Sequence, residues 1–277
     1  MEKYNAIYRQ SIDNKEVFWK EQAVQLHWFK APKTILSQNE KGFYRWFADG
    51  EINTCYLCLD QQVEQGRGEQ IALIYDSPVT HTIKKYSYRE LLDLVSRFAG
   101  GLQTAGIRKG DTVVIYMPMI PQAVIAMLAC ARIGAIHSVV FGGFAPHELA
   151  MRIDDALPKA IISASYGVEF DKTIPYKPLV DRAIEEALHK PPVHIFYERT
   201  PGYDELDGIS EMDYNQLLLS EPVPCVPVFS GDPLYILYTS GTTGKPKGII
   251  RDHGGYATAL KFSMDHIYDA RPGEVYW

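Results

Sequence analysis

From Gln70 onward, short apolar runs alternate with stretches of helical periodicity, and this rhythm constrains the fold more than any other feature. Ile71–Tyr75, Thr112–Tyr116, Ser138–Phe141, Ala160–Ser163, Val193–Phe196 and Leu234–Tyr238 are rich in β-branched and aromatic residues and are bounded by turn signals, which predicts strands. Between the first two, Ser87 stands three residues before Glu90, a capping-box pattern. Leu91, Leu94, Val95, Phe98 and Leu102 then recur at helical spacing until Gly106 stops the helix. Pro118 and Pro121 bracket a turn before a small-residue helix over Ala123–Ile133, which ends at Gly134. Pro146 suits the first turn of a helix carrying Leu149, Ile153 and Leu157 on one face. Leu179–His189 and Tyr214–Leu219 read as two more helices. The alternation predicts βαβ crossovers, and hence an α/β fold: a doubly wound, largely parallel sheet with flanking helices. Ligands of such sheets bind at the carboxyl ends of the strands.

Residues 1–60 do not share the rhythm. Phe18, Trp19, Trp28, Phe29, Phe43, Tyr44, Trp46 and Phe47 crowd a segment with few turn signals. Asp13-Asn14 predicts a helix start and Pro32 its end. The segment reads as an apolar-faced arm packed on residues 61–277 rather than as a domain. With 46% hydrophobic residues among 277, the chain has ample material for a core. Its net charge of -6 argues against a nucleic-acid binder held by phosphate attraction. No apolar run is long enough to span a bilayer, and Met-Glu-Lys-Tyr-Asn-Ala lacks the form of a signal peptide, so the expected location is cytoplasmic. Cys55-x-x-Cys58 invites a zinc or redox reading, but no second Cys/His pair accompanies it, and Tyr56 and Leu57 read as packing residues. Four unpaired cysteines, Cys55, Cys58, Cys130 and Cys225, suit a reducing compartment.

The last apolar run passes into Thr-Ser-Gly-Thr-Thr-Gly-Lys-Pro-Lys-Gly, residues 239–248. Glycines permit close backbone approach, hydroxyls and backbone N–H groups can form an anion nest, and Lys245 and Lys247 add compact charge. This composition after a strand predicts a loop that wraps a polyphosphate. It is not a Walker A loop, which needs four residues between its first glycine and Gly-Lys-Ser/Thr; here Gly241 and Gly244 are two residues apart and Pro246 follows Lys245. His137, His147 and His253 have no partner visible in the sequence and read as structural.

The segment resembles the AMP-binding signature of the adenylate-forming superfamily. The acetyl-CoA and propionyl-CoA synthetase branch is similar over nearly the whole chain: at Phe18-Trp19 to Pro32, Tyr88–Leu91, Ala131–Phe144, Tyr238–Gly248 and Arg251–Tyr256. The Arg-Asp-x-Gly-Gly form of that last stretch is nearer propionyl-CoA synthetases. The resemblance implies activation of a short-chain carboxylate, propionate favoured over acetate, by ATP with Mg²⁺. Acyl-adenylate and pyrophosphate form first; the thiol of coenzyme A then displaces AMP. It implies ATP-phosphate contacts from Thr239, Ser240, Gly241, Thr242, Thr243, Gly244, Lys245 and Lys247, with Lys247 matching the motif lysine. The stretch Gly167–Thr173 aligns with the segment that meets the adenosine-phosphate end of CoA, which implies contacts from Glu169, Phe170, Asp171 and Lys172. Acetyl-CoA synthetases tend to carry two arginines there; Glu169 and Lys172 fit the propionyl-type pattern better. The adenine, acyl and lid motifs of the family, including its catalytic lysine, lie beyond the signature, so the chain is expected to be an N-terminal fragment, inactive alone or serving as a nucleotide/CoA-binding module. Partners implied are small molecules, with no nucleic acid and no membrane.

Overall fold

The computed structural model describes residues 2–169, 172–200, 211–239 and 246–277. The chain opens with helices α1 (Glu2–Asp13) and α2 (Lys15–Ala23), broken at Asn14. The second helix ends at Ala23, well short of the expected stop at Pro32: the Ala23 carbonyl accepts from the Trp28 indole N–H at 2.8 Å, so the chain turns there and the ring covers the helix end. Strands β1 (Leu36–Gln38), β2 (Tyr44–Trp46) and β3 (Glu51–Ile52) lead into short helices α3 (Thr54–Cys58) and α4 (Asp60–Gln62). Asn53 caps α3 by accepting from the Cys55 and Tyr56 amides. A hairpin of β4 (Ile71–Ser77) and β5 (Thr82–Ser87) follows. The run at Ile71 is thus a strand, but among the described residues it does not join the central sheet as the rhythm suggested; it pairs with β5, antiparallel.

The rest builds the sheet. In chain order come α5 (Tyr88–Thr104), β6 (Thr112–Met117), α6 (Pro121–Arg132), β7 (Ile136–Phe141), α7 (Pro146–Ala156), β8 (Ala160–Ala164), β9 (Tyr166–Glu169), β10 (Lys172–Pro175), α8 (Lys177–Glu186), β11 (Val193–Tyr197), β12 (Glu211–Asp213), α9 (Tyr214–Leu217), β13 (Val228–Phe229), β14 (Pro233–Thr239), β15 (Lys247–Asp252) and α10 (Gly254–His266). The Ser87 capping box forms: its hydroxyl accepts from the Glu90 amide at 3.2 Å, and Glu90 accepts from the Ser87 amide at 2.7 Å. The sheet order is β12-β11-β8-β6-β7-β14-β15, with every pair parallel except β14–β15.

Period-2 alternation assigns the two faces. Val113, Ile115, Ile162 and Ile195 pack with Val95, Phe98 and Leu102 of α5 and Ile125 and Ala129 of α6. Val114, Tyr116 and Ile161 pack with Leu149 and Ile153 of α7 and Val180 of α8. Helices thus cover both faces, as a parallel sheet requires. The N-terminal arm is tied on in three ways. Phe18 and Trp19 meet Phe262 of α10 edge-on at 5.4 and 5.7 Å. Strand β3 pairs with β13. The buried Asn53 amide donates to the carbonyls of Ala131, Arg132 and Val226.

Candidate phosphate- and nucleotide-binding edge

The central strands run parallel, so the segments that follow them gather at one edge. Phe141 of β7 leads to Gly142-Gly143, Ala164 of β8 leads to the β9–β10 hairpin, and β14 ends at Thr239. The sequence-predicted phosphate loop and the predicted CoA stretch therefore share the carboxyl edge, where doubly wound sheets hold ligands.

The loop is closed by a hairpin rather than a strand-to-helix turn. Strand β15 folds back on β14 with Thr239 opposite Lys247 and Tyr238 opposite Gly248. Thr239 and Lys247 are both exposed and stand across from each other at the mouth of the turn. Ser240, Gly241, Thr242, Thr243, Gly244 and Lys245 lie outside the described residues. Gly248 has a packing duty: a Cβ there would lie 3.0 Å from Ile236 Cγ2 and 3.2 Å from the Tyr238 ring. Tyr238 anchors the hairpin by donating to Asp155 Oδ2 of α7 at 2.6 Å, and the Arg152 guanidinium lies 5.5 Å from its ring centroid. Burial, then the Asp155 carboxylate, raises the Tyr238 hydroxyl above its ordinary pKa, so it stays a donor. After β15, Asp252 accepts from the Tyr256 amide at 3.0 Å and helps open α10.

In the CoA stretch, Glu169 pairs with Lys172 where β9 turns into β10. Phe170 and Asp171 lie outside the described residues. The Glu169 carboxylate sits over Gly143, where a Cβ would come within 2.9 Å of Oε1, and a Cβ on Gly142 would lie 2.7 Å from the Tyr176 ring. The two glycines let the β7 turn pack closely against the Tyr176 and Glu169 side chains. Lys172 is exposed at the start of β10.

Residues 59–277 match the AMP-binding enzyme family, and residues 4–58 match the acetyl-coenzyme A synthetase N-terminus. This chain belongs to the AMP-binding enzyme family. It is 49% identical over 282 residues to the human mitochondrial protein named acyl-CoA synthetase short-chain family member 3, covering 99% of this chain and 40% of that protein. It is 43% identical over 279 residues to the propionate–CoA ligase of Escherichia coli K12, covering 99% of this chain and 44% of the relative. The acetoacetyl-CoA synthetase structure from Streptomyces lividans superposes with a TM-score of 0.89 at 26% identity, over 98% of this chain and 41% of that one. The chain thus spans less than half the length of these relatives. Among the described residues, no helix is long and apolar enough to cross a membrane.

Three buried polar clusters in this AMP-binding chain escaped the sequence, because their members are far apart in it. At the first, Arg132 Nη1 stands 2.8 Å from Asp60 Oδ2, 3.1 Å from Cys225 Sγ and 3.7 Å from Cys55 Sγ, while Nη2 reaches Asp60 Oδ1 at 2.9 Å. Two thiols and a carboxylate form a metal-like set, but the guanidinium occupies its centre and supplies the cation. Among the described residues, this set takes Cys55 but not Cys58 of Cys55-x-x-Cys58.

The second cluster has the connectivity of a hydrolase triad. Ser163 Oγ lies 2.7 Å from His194 Nε2, and His194 Nδ1 lies 3.2 Å from Glu211 Oε1. Ser163 is fully buried within the sheet, so no acyl group can reach it. Lys177 Nζ bridges Glu211 and Asp181 at 3.0 and 3.1 Å. Burial pushes the Glu211 carboxyl up, but hydrogen bonds from His194 and Lys177 outweigh it and hold it down at about 2. The cluster binds β8, β11, β12 and α8 together.

The third joins the N-terminal arm to α10. Thr54 donates its backbone N–H to His253 Nδ1 at 3.3 Å, and its hydroxyl lies 2.9 Å from the same nitrogen. His253 is therefore partnered, contrary to its reading as a lone histidine. An acceptor Nδ1 puts the proton on Nε2, which has no partner among the described atoms; nor has His137 Nδ1. Burial lowers His253 to about 4, and burial together with His253 lowers His137 to about 3.

Proposed function

We propose that this chain forms the ATP-phosphate and CoA-facing part of an AMP-forming short-chain acyl-CoA synthetase. One observation carries the reading: Thr239 and Lys247 face each other at the carboxyl edge of the parallel sheet, flanking the hydroxyl- and glycine-rich turn. A hydroxyl and a flexible ammonium are what a departing pyrophosphate requires, because its charge grows as the bond to the α-phosphorus breaks. In the first step a carboxylate oxygen of the acid attacks the α-phosphorus of ATP and pyrophosphate leaves. In the second, the CoA sulfur attacks the acyl carbon, the thiol proton goes to solvent, and AMP leaves. Thr239 and Lys247 serve the first step, together with Ser240, Gly241, Thr242, Thr243, Gly244 and Lys245. Glu169, Phe170, Asp171 and Lys172 border the nucleotide end of CoA, with Lys172 able to meet a phosphate as a point charge.

Magnesium would neutralise phosphate oxygens in such a reaction. Thr239 and Lys247 suit phosphate but offer that ion no carboxylate. Residues 1–60 form the N-terminal extension in this reading and residues 61–277 the first part of the AMP-binding domain. Propionate is the favoured acid, supported by the Arg251-Asp-His-Gly-Gly sequence and by the likeness to a propionate–CoA ligase. Four free cysteines suit a reducing compartment such as the cytoplasm.

The protein carrying this chain, given ATP, CoA and propionate, should release AMP and pyrophosphate. Release of ADP and orthophosphate instead would refute the reading. A higher kcat/KM for acetate than for propionate would overturn the substrate assignment; one methylene separates them by about 1–3 kcal/mol in a fitted pocket.

A further inference from the structure

A cleft of about 200 Å³ opens at the end of the carboxyl edge away from β14 and β15, between the β4–β5 hairpin and β11. Its walls come from the β4–β5 hairpin, β9, the end of β11 and the start of α6. The alternation of β5 turns Lys84 and Tyr86 to one face, where they meet Tyr75 of β4, while Ile83 and Lys85 turn away. The end of β11 supplies Tyr197 and then Arg199. The first turn of α6 adds Gln122. Two cations, four phenols and an amide thus converge, and among the described residues no aspartate or glutamate lines the cleft.

Arg199 is built in rather than loosely placed. Its guanidinium lies 4.6 Å from the Tyr166 ring centroid, Nη1 donates to the Tyr166 carbonyl at 2.9 Å, and its backbone N–H donates to Ser165 Oγ at 3.0 Å. A guanidinium fixed by stacking loses little freedom on binding an anion, and its fork matches a tetrahedral oxyanion. Lys84, on the exposed strand β5, can swing onto the same ligand.

We propose that this cleft binds a phosphate group, with Arg199 as its fixed donor and Lys84 as its mobile cation. The number of convergent donors suits a dianionic phosphate rather than a monocarboxylate. The site does not depend on the reaction proposed above, and it is separate from the Thr239–Lys247 turn: β11 and β14 are separated in the sheet by β8, β6 and β7.

The test is calorimetric titration of the whole chain, at low salt, with inorganic phosphate and separately with AMP. Saturable binding is expected. Arg199→Gln and Lys84→Ala should each weaken it roughly tenfold or more, the worth of a charge-assisted contact, and Lys85→Ala, on the opposite face of β5, should leave it unchanged. Equal affinities would identify a bare phosphate site, and tighter AMP a nucleotide phosphate; either result, lost in both variants, supports the proposal. Lys84→Ala, on an exposed strand, tests the site even if Arg199→Gln does not fold. No saturable binding, or a Kd that Lys84→Ala leaves untouched, overturns it.

Discussion

Arg132 is buried because three separate segments need one cation at their junction. Its side chain is 5% exposed and that of Asp60 16%. The two ends of the guanidinium hold the carboxylate, and Nε donates to the Val223 carbonyl at 2.6 Å. Removing one partner of such a pair leaves the other charge desolvated and alone, which typically costs about 3–5 kcal/mol. Arg132→Met should lower the stability read from urea unfolding by about that amount; a loss under about 1 kcal/mol would mean that water reaches Asp60 and that the junction is not closed. The contrast with Lys247 shows what sequence can reveal at this scale. Lys247 stands out in the sequence because the hydroxyls and glycines that suggest a phosphate contact are its neighbours in the chain. Arg132 and Asp60 are 72 positions apart, Thr54 and His253 199, and only the fold brings each pair together.

Among the elements, the central strands were legible because burial on both faces makes them continuous apolar runs. The β4–β5 hairpin was read only in half. Ile-Lys-Lys-Tyr in β5 is mostly exposed, so no apolar run marks it. Strand β15 was hidden for the same reason, being exposed along most of its length behind a Gly-Lys-Pro-Lys sequence that reads as loop. Helix α5 was fully announced by its cap, and Ser87→Ala should cost about 1 kcal/mol, measurable as a lower Tm. The seam between α3, β7 and α10 sets an acid limit. His137 and His253 are held neutral, below the ordinary value of 6.5, at about 3 and about 4. The unfolded chain binds these protons first, so this contribution to stability is complete above pH 6.5 and falls as pH drops from 6.5 towards 4. Asp232 opposes and Lys109 reinforces the effect at His253. Urea midpoints measured across that range should fall in the native chain and fall less in His253→Asn; identical slopes would contradict the assignment.

At the scale of the molecule, the sheet ends in a strand whose outer side is open. Among the described residues, strand β15 pairs with β14 alone and exposes Ile249 and Ile250, and Leu237 of β14 is half exposed. Unpaired, apolar edge strands recruit other chains. The chain by itself should associate with rising concentration in sedimentation velocity, and Ile250→Lys should shift it towards monomer; a clean monomer at all concentrations would contradict this. At the same edge, in the function proposed above, the Thr239–Lys247 turn cradles a departing pyrophosphate. That contact is made while pyrophosphate leaves and is gone before CoA attacks, so removing it should slow one step and spare the other. The direct measurement is a rapid-mixing comparison, in Lys247→Ala, of pyrophosphate release from ATP and propionate with acyl-CoA formation from preformed propionyl-adenylate. The first should slow by about 10²–10³ while the second holds near the native rate; equal slowing of both, or of neither, would contradict a role for Lys247 at the departing pyrophosphate.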